Sequence, residues 1–241
     1  MKRNEIYLGD CLELMPKHIE DKSIDMIFCD LPYGTTQNKW DSVIPLDRLW
    51  SEYERTIKDN GIICLTASQP FTSALISSNY KMFKHEWIWI KDKGSNFANT
   101  VREPMKEHEQ VLVFSYGKWT YNRIMEKRKG GGNKAIGRVN KHYKKSENYG
   151  LFNGADIPVK KLRVPSSLQK FNRETGFHPT QKPLSLIEYM IKTYTNEGDL
   201  ILDNTCGSGT TGLGAKNLNR NYIMMEKDPK YYEIACKRVQ G

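Results

Sequence analysis

Leu200-Ile201-Leu202-Asp203-Asn204-Thr205-Cys206-Gly207-Ser208-Gly209-Thr210-Thr211-Gly212 reads as a short apolar strand ending on a carboxylate, a tight glycine turn, and a helix starting near Thr210. An unbroken apolar run of this length is what a strand covered on both faces looks like. Gly207 and Gly209 let a ligand come close to the backbone, and the helix start offers it unpaired N–H groups. The next apolar run, Asn221–Glu226, ends on a carboxylate 23 residues after Asp203, placed to accept hydrogen bonds from both hydroxyls of a ribose. The two runs together read as an adenosine-type binding site. Gly207, Gly209 and Gly212 also fit the G-x-G-x-x-G dinucleotide pattern, a weak signal that plain tight turns satisfy as well. Only 29 residues follow Gly212, too few for the rest of a dinucleotide-binding sheet. The N-terminal strands are therefore expected to complete the sheet, with a cofactor half and a chemistry half in permuted order.

Further apolar runs at residues 5–9, 24–29, 61–66, 85–91 and 110–114 bring the total to about seven strands. Between them, Leu46, Leu49, Trp50, Tyr53 and Ile57, and later Leu184, Ile187, Ile191 and Tyr194, recur at three to four residues and predict helices that face the core. The runs at 85–91 and 110–114 have no helical pattern between them, which predicts an antiparallel pair at one edge of an otherwise parallel sheet. The expected class is α/β, a doubly wound, mostly parallel, seven-stranded Rossmann-like sheet with one antiparallel edge hairpin and a small basic insert.

A chain of 241 residues with 38% hydrophobic content fits one domain with an insert and excludes disordered and fibrous classes. Five cysteines (11, 29, 64, 206 and 236) without a C-x-x-C spacing give neither a disulfide framework nor a thiolate zinc site, and a cytoplasmic location is expected. The start, MKRNEIYLGD, lacks an apolar signal core, and the longest uncharged run, residues 61–80, is rich in polar side chains. Neither export nor a membrane span is expected. The net charge of +9 is concentrated: residues 118–173 hold 15 lysines and arginines against three acids, a local +12, and the remainder is −3. A near-neutral body with so basic a segment suits a polyanion partner, the plainer alternative being a solvated loop. Helical and strand periodicity fade over the same stretch. Residues 118–175 are therefore read as a target-recognition insert, and residues 1–117 with 176–241 as the catalytic domain. Of its aromatics, Trp119, Tyr121, Tyr143, Tyr149, Phe152 and Phe171, most are expected to anchor packing rather than to stack on bases.

The second chemical motif is Asp25-Met-Ile-Phe-Cys29-Asp30-Leu31-Pro32-Tyr33-Gly34, a strand that delivers a carboxylate, a proline turn and an aromatic ring to the carboxyl edge of the sheet. Pro32 disfavours helical geometry at Leu31 and holds its carbonyl extended. Asp30 and that carbonyl can together accept both protons of an exocyclic amine, leaving its lone pair free, while Tyr33 offers a face to an unstacked base.

Asp30-Leu31-Pro32-Tyr33 and Asp203-Asn-Thr-Cys-Gly-Ser-Gly-Thr-Thr211 resemble the D/N/S-P-P-Y tetrapeptide and the FxGxG-type loop of the DNA amino-methyltransferases. The order of tetrapeptide, basic region and glycine loop resembles the permuted β class of that family, over most of residues 4–117 and 176–240. The resemblance implies S-adenosylmethionine as cofactor, double-stranded DNA as partner, and direct methyl transfer with neither metal nor covalent intermediate. Asp30, Leu31, Pro32 and Tyr33 would be catalytic. Asp203 and the loop Cys206, Gly207, Ser208, Gly209, Thr210 and Thr211 would surround the methionine part of the cofactor, Glu226 would take the ribose, and Asp10 would face the adenine, with Cys11 next to it also in the cofactor site. His178, Thr180 and Lys182, in His-Pro-Thr-Gln-Lys-Pro183, match a segment that precedes a helix closing over the cofactor; read on its own, it is a helix with Pro183 in its first turn. The basic segment, with Lys127, Arg128, Lys129, Lys134, Arg138, Lys141, Lys144 and Lys145, would contact DNA. Leu31 departs from the family's first proline, so the turn is expected to be less rigid. Cys29 and Cys206 are read as packing residues.

An Asp at the head of the tetrapeptide resembles adenine-N6 more than cytosine-N4 enzymes, which makes N6 of adenine the first reading and N4 of cytosine its nearest alternative. A nicotinamide oxidoreductase would leave the basic segment and Asp30-Leu-Pro-Tyr unexplained. A non-catalytic nucleic-acid-binding module would show no cofactor affinity. Enzymes of the permuted class are often homodimers, and the short basic segment fits a short target sequence.

Overall fold

The computed structural model describes residues 1–34, 42–127, 162–177 and 179–241, which fall into two compact units, Met1–Asn122 with Ser167–Gly241, and Arg123–Ser166. The strands are β1 (Glu5–Leu8), β2 (Ile24–Cys29), β3 (Ile57–Ala67), β4 (Phe83–Ser95), β5 (Lys106–Phe114), β6 (Glu126–Lys127), β7 (Leu162–Arg163), β8 (Leu168–Lys170), β9 (Leu200–Asp203) and β10 (Asn221–Glu226). In the smaller unit β6 and β7 pair antiparallel, and an ion pair of 2.7 Å between Arg163 and Glu126 joins them.

The other eight strands form one sheet in the order β1-β10-β9-β2-β3-β5-β4-β8. Every ladder is parallel except the two made by β5, which runs against both β3 and β4. Two features differ from the sequence-based expectation of seven strands ending in a hairpin. An eighth strand, β8, pairs parallel with β4, setting Leu168 opposite Ile88, so the hairpin does not form the edge. β8 lacks an apolar run because its one buried residue is Gln169, flanked by exposed Leu168 and Lys170.

Helices cover both faces of the sheet. α1 (Cys11–His18), α2 (Leu46–Thr56) and α3 (Phe71–Ser78) pack into one core, and α4 (Leu184–Tyr194), α5 (Thr210–Asn217) and α6 (Pro229–Gln240) into the other. β2 feeds both by simple alternation: Ile27 and Cys29 enter the first core, Met26 and Phe28 the second, all at most 1% exposed. The helical stripes bury as their spacing requires, with Leu49 and Tyr53 on α2 and Ile191 on α4 at 0% exposure. Trp119 and Phe171 pack against the second core. No helix among the described residues is long and apolar enough to cross a membrane.

Strand order reverses between β9 and β2. From β9 the sheet continues through β10 to β1, and from β2 through β3 to β5. Parallel strands that diverge in this way leave a crevice at their carboxyl ends. Asp30 follows β2, Asp203 and Glu226 end β9 and β10, and Asp10 follows β1.

Candidate active site

A cavity of about 590 Å³ opens at this crevice, lined by Asp10, Asp30, Tyr33, Asp203, the glycine turn and Glu226. This volume lies within the range of small-molecule sites.

One wall is the segment after β2. The Leu31 side chain, which stands in place of a ring, is 3% exposed and packs into the first core. Core packing thus supplies anchorage that a proline would have supplied through its ring. Asp30 Oδ1 accepts a hydrogen bond from the Tyr33 hydroxyl (3.0 Å) and a short one from the Thr66 hydroxyl. Thr66 ends up there because Cys29 pairs with Leu65, which sets the next residue of each strand side by side. The Thr205 hydroxyl donates to the Asp30 carbonyl at 3.2 Å, tying the segment before the glycine turn to the tetrapeptide. The Tyr33 ring stacks on Phe71 with centroids 5.2 Å apart, and burial beside Asp30 pushes its phenol well above the ordinary range.

A buried row of charges reaches the same carboxylate. Lys182 Nζ lies 2.6 Å from Asp30 Oδ2 and 3.4 Å from Glu109 Oε2, and Lys91 lies 2.6 Å from Glu109 Oε1. Burial favours the neutral forms of both Glu109 and Lys182, yet each is held charged by its partners: the two lysines keep Glu109 below its ordinary value, and the two carboxylates keep Lys182 above its own.

The opposite wall is the glycine turn and its carboxylates. Gly207 and Gly209 adopt left-handed conformations (φ 52° and 77°), and a Cβ on Gly209 would stand 3.0 Å from Ala235 and Val239. Glu226 fastens the turn: Oε2 accepts from Gly207 N at 2.7 Å, and Oε1 from the N–H groups of Lys227 and Asp228. A carboxylate offers about four acceptor positions, so one on Oε2 remains for a ribose hydroxyl. Asp10 Oδ1 caps α1 through Leu12 N at 2.9 Å, and Oδ2 pairs with Lys227 at 3.0 Å. Asp203 is 4% exposed, and burial pushes its carboxyl up to about 7, against a Thr211 side-chain hydrogen bond and the Thr205 N–H. Arg238 supports the turn from behind, donating to the hydroxyls of Ser208 (3.1 Å) and Thr210 (2.8 Å).

The cavity thus brings together Asp10, Cys11, Asp30, Leu31, Pro32, Tyr33, Thr180, Lys182, Asp203, Cys206, Gly207, Ser208, Thr210, Thr211 and Glu226 of the residues singled out from sequence. Gly209 holds the turn without lining it. Pro183 precedes α4 as its cap rather than standing in its first turn. Lys127 lies in β6 of the smaller unit; Arg128, Lys129, Lys134, Arg138, Lys141, Lys144, Lys145 and His178 fall outside the described residues. Sequence reading missed Thr66, Glu109, Lys91 and Arg238. Thr66 is recoverable from the register of β2 with β3, whereas nothing local marks Glu109 as the partner of a lysine 73 positions away.

A switch-point crevice lined by a glycine turn and strand-end carboxylates is the arrangement in which open α/β sheets hold nucleoside-type ligands, here with the Asp30 segment ahead of the glycine turn in the chain. The chain belongs to the DNA methylase family of N6 and N4 methyltransferases, whose profile matches residues 24–237. It is 30% identical over 267 residues to the type II methyltransferase M2.MboI of Moraxella bovis, covering 98% of this chain and 88% of that protein. To the DNA adenine methyltransferase YhdJ of Escherichia coli K12 it is 28% identical over 251 residues, covering 96% and 81%. Among solved structures it is similar to the M1.HpyAVI–SAM complex, with a TM-score of 0.66 and 25% identity over 98% of this chain and 99% of that one.

Proposed function

We propose that this chain transfers a methyl group from S-adenosylmethionine to N6 of adenine in double-stranded DNA, at a specific sequence. The observation that carries the reading is that Asp30 and Tyr33 form one wall of the cavity whose other wall is the glycine turn and Glu226. The cofactor fits the residues present. A buried carboxyl at Asp203 suits its ammonium, the free acceptor position of Glu226 suits a ribose hydroxyl, and the left-handed turn admits it close to the backbone. When bound, it supplies a methyl group on a positively charged sulfur, open to direct attack by an amine lone pair.

The chain contributes chiefly position. Asp30 and the Leu31 carbonyl accept the two amine protons and aim the lone pair into the cavity. Asp30 then stabilises the positive charge growing on nitrogen and accepts its proton, directly or through water. Tyr33 carries the flipped base, since a paired amine is out of reach inside the duplex. The basic segment, residues 118–175 with Lys127, Arg128, Lys129, Lys134, Arg138, Lys141, Lys144 and Lys145, contacts phosphates and reads the target. Adenine is preferred because an aspartate heads the tetrapeptide and because YhdJ is named a DNA adenine methyltransferase. Cytosine N4, with the same NH₂ geometry, is the second reading. Cytoplasmic residence and a homodimer belong to the same proposal; all five cysteines are free thiols, as a reducing compartment keeps them. The test is transfer of labelled methyl from S-adenosylmethionine to unmethylated duplex DNA, with the product nucleoside identified by mass spectrometry. N6-methyladenine supports the reading, N4-methylcytosine moves it to the alternative, and no transfer to DNA refutes both.

A further inference from the structure

Lys182 stands where a target amine would have to stand. Asp30 Oδ1 already receives the hydroxyls of Tyr33 and Thr66, which leaves Oδ2 for an incoming N–H, and Lys182 Nζ is 2.6 Å from that oxygen. With Phe71 stacked on the Tyr33 ring, the same ammonium lies 5.6 Å from the ring centroid. A base entering this position carries a nitrogen that becomes positive during transfer, and an ammonium held on the same oxygen opposes it. The lysine stem is flexible and its three donors are interchangeable, so a short swing is available to it. Its second carboxylate partner is Glu109 Oε2 at 3.4 Å, about half an ångström beyond good hydrogen-bond distance. Glu109 cannot follow the lysine. Its other oxygen is fixed by Lys91 at 2.6 Å, and both residues sit on paired strands, β5 and β4, where Glu109 faces Trp89.

We propose that Glu109, anchored by Lys91, is a positioning residue for methyl transfer: it draws the Lys182 ammonium off Asp30 when the target amine binds. In the free protein Lys182 holds the amine's place; in the complex the Lys182–Glu109 contact shortens and Asp30 Oδ2 turns to the substrate. The inference rests on the reading of Asp30 as the amine's partner.

The test is single-turnover methylation of unmethylated duplex DNA by wild type, Glu109→Gln, Lys182→Met, Glu109→Gln/Lys182→Met and Glu109→Gln/Lys91→Met, with Kd for S-adenosylmethionine and DNA measured alongside. Without the Glu109 charge Lys182 stays on Asp30, so the rate of Glu109→Gln should fall about 100-fold, as for a misplaced reacting group, while both Kd values move by less than about twofold. Adding Lys182→Met should bring the rate back to that of Lys182→Met alone, because nothing is left to be drawn off. Adding Lys91→Met should restore nothing; it removes the cation that Glu109→Gln leaves buried, and so serves as the test protein if the single variant folds poorly. A wild-type rate for Glu109→Gln, additive losses on combination with Lys182→Met, or recovery through Lys91→Met would each overturn the proposal and leave the row of charges as packing alone. Asp30→Ala, assayed in parallel, separates the two levels: sustained transfer by that variant would sink the underlying reading of Asp30 instead.

Discussion

Lowering the pH from 7 to 5.5 is expected to weaken S-adenosylmethionine binding about 15-fold, through a single buried carboxyl. Asp203 titrates at about 7 because burial disfavours its charge. If the ionised form is the one that receives the ammonium of the methionine moiety, binding at low pH must first remove a proton. A group titrating at about 7 is about half ionised at pH 7 and about 3% ionised at pH 5.5, and the ratio of those fractions is the expected change in Kd. The sign follows from the same linkage: the complex holds fewer protons than the free protein, so affinity rises with pH through this window. The interval stays below the range near pH 8 in which an α-amino group itself titrates. Isothermal titration in buffers of different ionisation enthalpy measures both the affinity and the proton count, which should be about half a proton released per ligand at pH 7. Asp203→Asn should bind more weakly at pH 7 and lose most of the pH dependence; Glu226, which burial also raises, would act in both proteins. A flat wild-type profile, or an unchanged slope in Asp203→Asn, would refute the assignment of Asp203 to the ammonium.

The same carboxyl bears on stability. Its folded value lies above the ordinary 3.8, so its contribution is complete at pH below about 4 and is lost as pH rises through about 7, a change of up to about 4 kcal/mol. Denaturant titration should accordingly find free Asp203→Asn more stable than wild type at pH 8, with the difference gone near pH 4. Asp30→Ala should abolish methyl transfer while leaving cofactor affinity within about twofold, read by methylation assay and calorimetry. Tyr33→Phe removes a hydroxyl that donates to Asp30 but keeps the ring on Phe71; single-turnover kinetics should show a loss of about tenfold, and a wild-type rate would mean that the hydroxyl does not orient Asp30. Gly209→Ala puts a Cβ at φ +77° against Ala235 and Val239, and thermal melts should show a destabilisation of about 1–3 kcal/mol.

The fold is legible where burial writes long apolar runs. β2 and β9 are covered on both faces, so Ile24–Cys29 and Leu200–Asp203 stand out without help from the rest of the chain. β8 is illegible for the converse reason: a three-residue edge strand with one buried glutamine has nothing to repeat. At the site, the carboxylates that end a strand or directly follow one are legible because chain direction alone sends them to the carboxyl edge. Asp30, Asp203 and Glu226 are of this kind. Contacts between distant segments are not, and Lys182 illustrates the limit: sequence groups it with the cofactor segment, while the structure sets its ammonium on Asp30, 152 positions away. Asp10 shows another limit, since sequence marks the residue but not that one oxygen caps α1 and the other meets Lys227. How many acceptor positions a carboxylate has left is a property of its surroundings.

The pairing of β2 with β9 also sets a timetable for the birth of the enzyme. Met26 and Ile201 are neighbours in the finished sheet, yet the ribosome makes them 175 residues apart, a gap of on the order of ten seconds or more. Until β9 arrives, β2 has an unclaimed edge, and β1 waits longer still for β10, its one partner among the described strands. Contacts of such separation are slow to form, because loop-closure entropy is lost before they contribute. The crevice between β2 and β9 cannot exist before both strands are made, so a partly synthesised chain holds Asp30-Leu-Pro-Tyr33 but lacks the glycine turn and Glu226 that form the other wall of the cavity.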